Sequence, residues 1–459
     1  MKKILKCAFF AIVLLLLFII ISCSVPPACQ KKATAEALAD YKSETATKER
    51  VLCVDDNLDA LLWRIRIIEE AEREIILSTF DFCDDDSGRT VMGALYAAAE
   101  RGVQVKILVD GLNGSVKLEN NDAFCALAAH PSVEVKLYNK LNLFTPWTVN
   151  YRMHDKYLIA DQCAYLIGGR NTMDLFLGEG GETYNIDREV LVWSDKESAS
   201  AGELKDYFER VFSEKCNTEI RGNIGEKRLE LGRAALREKY AEAKKRYPGA
   251  FGFTDWEEET VAADGVSFLF GETHNGNKAP VVWKNILALA DGADEVLIET
   301  PYIVCSDEMY SDISMLAEKR VAIMTNAVES GANPWGCTDY MNQKGNISAT
   351  GAEIYEYMGE QSLHTKTFLI GNSISVVGSY NLDMRSTYLD TEIMLVVDCP
   401  QLNSELREKF YERTLVSKHV LPDGTETEGE AYEARTLDPL KAVWYFILRC
   451  VMLVLRHLA

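Results

Sequence analysis

The sequence is short of histidine, of regularly spaced cysteine, of positive charge and of any N-terminal apolar run long enough to cross a bilayer. Twelve Cys residues are scattered with no C-x-x-C pair and no Cys/His grouping at zinc-ligand spacing. No metal site and no cofactor is expected from them, and their irregular spacing names no disulfide framework. Most read as small buried apolar residues. Lys plus Arg number 49 against 70 Asp plus Glu, a formal charge of −21. That balance repels a polyanion over most of the surface, so nucleic acid is not the expected partner, although a local basic pocket can still hold one phosphate. Near the N-terminus the apolar run over residues 8–21 spans only 14 positions, where a membrane-crossing helix needs about 20.

What is present is ordinary for a folded protein: 47% apolar and 26% charged residues, values that exclude a mostly disordered chain. At 459 residues the chain exceeds what one core supports, so two domains or two fused halves are expected.

The two ends point to a membrane. Lys2, Lys3 and Lys6 precede the short apolar run, and Ser22-Cys23 and Pro26-Pro27 follow it, which is signal-peptide architecture. Ile20-Ile21-Ser22-Cys23 is similar to a bacterial lipobox, in which Cys23 is lipidated; an uncleaved anchor is the alternative. Either way the cations ahead of the run place the bulk of the chain on the extracytoplasmic side of the cell membrane. At the other end, residues 442–458 read AVWYFILRCVMLVLRHL. Arg449 and Arg456, two turns apart, share one helical face, and the segment suits the bilayer interface or a terminal helix docked on the protein's own core.

Between the ends the chain repeats itself. NYRMHDKYLIADQCAYLIGGRN begins at Asn150 and LHTKTFLIGNSISVVGSYN at Leu363. His154 and His364, Lys156 and Lys366, Gly168 and Gly378, and Asn171 and Asn381 are all 210 positions apart, which marks an internal duplication. Each copy follows a strand-like run, a helical stretch and a second strand-like run: residues 74–82, 91–101 and 103–110 in the first, 295–304, 307–319 and 320–325 in the second. Such alternation predicts parallel sheets covered by helices, one α/β sandwich per half. Residues 226–247 carry a helical pattern stopped by Pro248-Gly249, with eight Lys and Arg against four Glu, and read as a solvated linker helix. The expected layout is a signal segment or anchor at 1–30, a tether at 31–50, a first half at 51–216, a helical linker at 217–262, a second half at 263–415 and a tail at 416–459.

His-x-Lys on an extended segment puts both side chains on one face, with the residue between them turned away. Histidine can act as nucleophile or as acid and base near neutral pH, and lysine supplies charge to phosphate oxygens. Asn171 and Asn381 add amide donors. One half is an incomplete site; two halves provide two imidazoles for in-line displacement at one phosphorus, with the lysines in the role a metal ion has elsewhere.

RMHDKYLIAD followed by IGGRN, and LHTKTFLIG followed by VGSYNLDMRS, resemble the H-x-K-x4-D and G-G/S-x-N marks of the phospholipase D superfamily. They are most similar to its bacterial cardiolipin synthase and phosphatidylserine synthase branch, over residues 50–415. The resemblance implies two tandem α/β/α sandwich halves packed around one shared site. It also implies His154 as nucleophile and His364 as general acid and then base, or the two exchanged, with Lys156, Lys366, Asn171 and Asn381 on the phosphate. Family members place an acid after each Gly-Asn element to orient a histidine, and Glu189 and Glu392 fit that position, with Glu182 competing for the first. Asp161 is the motif Asp of the first copy, counted with the catalytic motif but expected to support the motif strand rather than touch phosphate; the second has Gly371 instead. The implied function is membrane-associated phosphatidyl transfer through a phosphohistidine, with phosphatidylglycerol as donor and acceptor and cardiolipin as product. A phospholipase D hydrolase releasing phosphatidic acid, an exported nuclease and a catalytically silent lipid-binding protein are the alternatives.

Overall fold

The computed structural model describes residues 2–32 and 48–459; most of the expected tether, residues 33–47, lies outside them. Two nine-stranded sheets dominate. Across the first run Arg50–Val54, Glu189–Trp193, Ala164–Gly168, Tyr157–Ala160, Glu74–Thr79, Gln104–Asp110, Val133–Tyr138 and Thr218–Ile220, with Val261–Ala262 added outside Arg50–Val54. Across the second, in the same order, run Gly265–Phe270, Ile393–Asp398, Ile374–Gly378, Thr367–Ile370, Glu295–Glu299, Arg320–Asn326, Glu353–Tyr357 and Ser417–Val420, with Glu426–Glu428 outside the last. The duplication read from the motifs therefore extends to the whole strand order. The expectation of parallel sheets holds only for three adjacent strands in each: Glu74–Thr79, Gln104–Asp110 and Val133–Tyr138, and their counterparts. The rest are antiparallel, because the motif strands Tyr157–Ala160 and Ala164–Gly168 are joined by a three-residue turn that leaves no room for a crossover.

The parallel strands are apolar along nearly their whole length and buried on both faces. Helix Asp86–Glu100 starts where the Asp85 carboxylate accepts from Gly88 N at 2.9 Å and ends before Gly102, whose φ of +98° reverses the chain. Together with Asn57–Glu70 and Asp122–Ala128 it covers the outer face of the first sheet. Asp307–Leu316, capped by Ser306 on Met309 N, covers the second in the same way. Glu226–Arg246 is not a solvated linker. Leu229, Gly232, Leu236 and Ala243 are buried, and Arg228, Arg237 and Lys239 pair with Asp122, Glu100 and Asp86 of the helices beneath, so part of its positive charge is spent on the first half.

The inner faces of the two sheets share a third core with helices Ala199–Phe212 and Pro400–Thr414. A buried ion network crosses this seam. Arg188 donates to Asp55 at 2.8 and 3.0 Å, to Glu299 and to Thr367 Oγ1, and Arg413 joins Glu299 from the second half.

Both chain ends come to one side. The N-terminal helix Lys2–Ala28 leaves Phe9, Phe10 and Leu14 to Phe18 exposed. At its far end Cys23 is half-buried: its thiol donates to Pro146 O at 3.2 Å and its carbonyl accepts from Asn150. Helix Pro439–Leu455 packs on Pro334–Ser348 through Tyr445, Leu448 and Met452. The face shared by Arg449 and Arg456 is the docked one, bonded to Asn342 and Asp339, while Leu440, Val443, Phe446, Ile447, Leu453 and Val454 point outward. Among the described residues no helix is long and apolar enough to cross a membrane.

Candidate active site

Each His-x-Lys segment enters its strand only after pairing with the opposite half. Met153 bridges to Thr391, and Ser362–Leu363 runs parallel to Asn185–Ile186. His154 N donates to Thr391 O at 3.3 Å and His364 N to Ile186 O at 2.7 Å. A side chain at the end of a parallel strand fixes the approach. Asp110 Oδ2 accepts from Met153 N at 3.2 Å and, at the equivalent place, Asn326 Oδ1 accepts from Leu363 N at 2.8 Å. Asp155, between His154 and Lys156, is turned away into the seam, where Tyr207 donates to it at 3.0 Å.

The imidazoles are held by carboxylates from across the molecule. Nδ1 of His154 lies 2.9 Å from Glu392 Oε1, and Nδ1 of His364 lies 2.6 Å from Asp187 Oδ2. With the Nδ1 proton given to the acid, Nε2 is left as the reactive nitrogen. Glu392 thus stands where the resemblance implies, but Glu189 does not. It is fully buried and forms a two-pronged pair with Arg64 at 2.6 and 2.7 Å, and Glu182 is exposed. The error is one of register. Gly168 sits opposite Glu189, whereas Gly378 sits opposite Met394, so Asp187 is the counterpart of Glu392. Matching the apolar runs Val190–Val192 and Leu395–Val397, rather than the two D-x-E triplets, would have found it.

The electrostatics follow from burial of four basic groups among acids. Burial, reinforced by the Lys366 ammonium, pulls the Lys156 amine down to about 7 against the attraction of Glu392. Burial pulls Lys366 down to about 8. Burial and the neighbouring lysine also push both imidazoles down, His154 well below its usual value and His364 to about 4. The acids differ. Burial raises Glu392 to about 7, although it accepts from Ser379 Oγ. Burial also acts to raise Asp187, but Lys366 and His364 outweigh it and hold Asp187 below the usual carboxylate range. Phe80 and Phe176 set ring edges against His154 and His364, with centroids 5.1 and 4.9 Å apart.

Asn171 and Asn381 are buried beside the lysine-bearing strands. Asn171 Oδ1 accepts from Asp81 N at 3.2 Å. Asn381 Nδ2 donates to Ser386 Oγ at 3.3 Å, and its Oδ1 is buried without a partner. Asp161 belongs elsewhere. It occupies the far end of Tyr157–Ala160 with φ +52°, and its carboxylate accepts from Glu72, Arg73 and Glu74 N at 2.7 to 2.9 Å. It clamps the strand entrance and is not part of the site. Gly371 takes up the same left-handed turn at φ +55°, so the second copy keeps the backbone without the clamp. A cavity of about 190 Å³ opens beside His364, lined among others by Asn185, Tyr302, Asn326 and Asn333.

The family described as cardiolipin synthase, PLD-like domain, matches residues 65–212 and 286–414, one match in each half. Cardiolipin synthase C of Escherichia coli (strain K12) is 26% identical over 402 residues, covering 78% of this chain and 83% of that protein. A cardiolipin synthase of Clostridium perfringens (strain 13 / Type A) is 26% identical over 383 residues, 81% of this chain and 70% of its own length. Among solved structures, phosphatidylserine synthase from Haemophilus influenzae Rd KW20 superposes with a TM-score of 0.59 at 16% identity, over 88% of this chain and 95% of that one. At that identity the likeness is one of fold.

Proposed function

This chain belongs to the cardiolipin synthase, PLD-like domain family, and from that premise we propose that it is a membrane-associated phosphatidyltransferase making cardiolipin from two phosphatidylglycerols. The observation that carries the reading is the crossed arrangement of two imidazoles, each held at Nδ1 by a carboxylate of the other half. His154 Nε2 attacks the phosphodiester phosphorus and His364 protonates the departing glycerol oxygen. His364 then takes the proton from the primary hydroxyl of a second phosphatidylglycerol, whose oxygen displaces His154. The acids favour this division of labour. Asp187, held ionised, stabilises an imidazolium at His364; Glu392, raised to about 7, gives His154 less incentive to protonate and leaves it a neutral nucleophile. The phosphodiester anion, bound between Lys156 and Lys366, raises the imidazole and amine pKa values it contacts, so that His364 takes up from solvent the proton it needs. At Asn381, turning the amide over would direct an N–H to the position now unpartnered, as a phosphate oxygen requires.

Attachment to a membrane is supported by the exposed apolar faces of the two end helices, which meet where His457 Nε2 contacts Ser24 O at 2.8 Å. They sit beside the site, since Arg385 reaches Leu458 O and Asn150 O at 3.0 and 2.9 Å. If Cys23 is instead lipidated as the mature N-terminus, residues 1–22 are removed and the lipid replaces the N-terminal helix as the attachment on the extracytoplasmic face. The test is incubation of the purified protein with phosphatidylglycerol vesicles and mass spectrometry of the lipids, with His154→Ala as blank. Cardiolipin and free glycerol, absent in the blank, are expected; phosphatidic acid instead would make the protein a hydrolase.

A further inference from the structure

The cavity beside His364 has a neighbour. Tyr302 and Asn333, which line it, also line a second cavity of about 350 Å³. That cavity passes under the C-terminal helix and is walled by Trp335, Met452, Leu455 and Leu458. Its charged residues, Asp383 and Arg385, lie at the start of the helix Met384–Tyr388 that follows Asn381, and the rest of its lining is mostly apolar. Gly336 lets Tyr302 pack directly on its backbone, because a Cβ there would come within 2.6 Å of the Tyr302 Cβ and Cγ. The volume falls within the range of roughly 300–1,000 Å³ typical of small-ligand sites. The helix forming its roof carries a continuous apolar outer face from Leu440 to Val454, so a hydrocarbon chain reaching this cavity need not cross polar surface.

We propose that this second cavity holds one acyl chain of the glycerophospholipid whose phosphate lies at His364, a reading that rests on the proposed phosphatidyl transfer. An acyl chain satisfies three observations together: a wall of Tyr302 and Asn333 shared with the histidine pocket, charged residues beside Asn381 with an otherwise mostly apolar lining, and an apolar helix face over the cavity. The helix is then a wall of the binding site as well as an attachment surface. Chain length becomes a determinant of binding that the C-terminal helix sets. Each methylene buried adds up to roughly fourfold to affinity.

The experiment compares phosphatidylglycerols of increasing short acyl length, each below its micelle-forming concentration, in the full chain and in Leu455→Trp and Leu458→Trp. Both kcat/KM for cardiolipin formation and binding by equilibrium dialysis are read. In the unaltered protein both should climb with chain length, and the climb should flatten by at least threefold per added pair of methylenes in each filled variant. Two substitutions on separate positions guard against a folding loss in one. An equal climb in all three proteins overturns the acyl site while leaving the transferase standing. Flattened binding with no product at any length supports the acyl site and removes the transferase.

Discussion

At the scale of single residues, the acid positions separate roles that the motif alone runs together. Asp161 holds three backbone N–H groups of the first parallel strand and touches neither histidine. Asp161→Gly, which copies the second half's Gly371, should leave kcat within about twofold and lower stability by about 1–3 kcal/mol, the worth of hydrogen bonds to a charged group; thermal melting beside steady-state rates checks both. Asp187 is the opposite case. Asp187→Asn retains the shape but cannot stabilise the His364 imidazolium, so kcat should fall by roughly 10²–10⁴-fold with little change in KM and little change in melting temperature. Asp187→Glu should recover part of the rate, which a purely structural role for Asp187 would not give. The histidines and lysines were legible in the sequence because duplication made them recur at one offset. Asp187 was not, since the loop before the returning strand is five residues shorter in the second copy and the offset drops accordingly.

At the scale of elements, strand-helix-strand units were readable from apolar runs, and the structure keeps them as Glu74–Thr79, Asp86–Glu100 and Gln104–Asp110 and as Glu295–Glu299, Asp307–Leu316 and Arg320–Asn326. Antiparallel partners were not, because a run buried on both faces looks alike in either direction. The role of Glu226–Arg246 was hidden for another reason: its counter-charges, Glu100 and Asp122, lie far off in sequence. The same holds for the seam between the sheets, where Arg188 serves Asp55 of its own half and Glu299 of the other. Removing it leaves the buried Glu299 and the half-buried Asp55 to Arg413 and Lys409 alone. Arg188→Ala should cost about 3–5 kcal/mol, the usual effect of breaking a buried pair from one side, and denaturant unfolding should register it as a drop in midpoint.

For the whole molecule, an acidic protein of formal charge −21 concentrates two lysines and two histidines in one buried site, and pH acts on that site in two opposed ways. In the unliganded protein Lys156 and Lys366 lose their protons near pH 7 and 8, so kcat/KM should decline above that range, whereas kcat should hold to higher pH because bound phosphodiester raises both amines. Folding stability responds with the other sign. Unfolded lysine keeps its proton to about 10.4; between pH 8 and 10 the unfolded chain therefore binds more protons than the native one, and these two groups make stability rise with pH. Rates and melting temperatures measured across pH 7 to 10 should move apart, and a parallel decline would contradict the depressed lysines.

The crossing of the acids also sets a clock. His154 must wait for Glu392, 238 positions further along the chain, which a ribosome adding about 5–20 residues per second delivers on the order of 10–50 s later. The first half can emerge and fold in that interval with its imidazole unaligned. A nascent chain thus carries no armed site until its second half has closed over the first, and a product truncated before the strand Ile393–Asp398 stays inert.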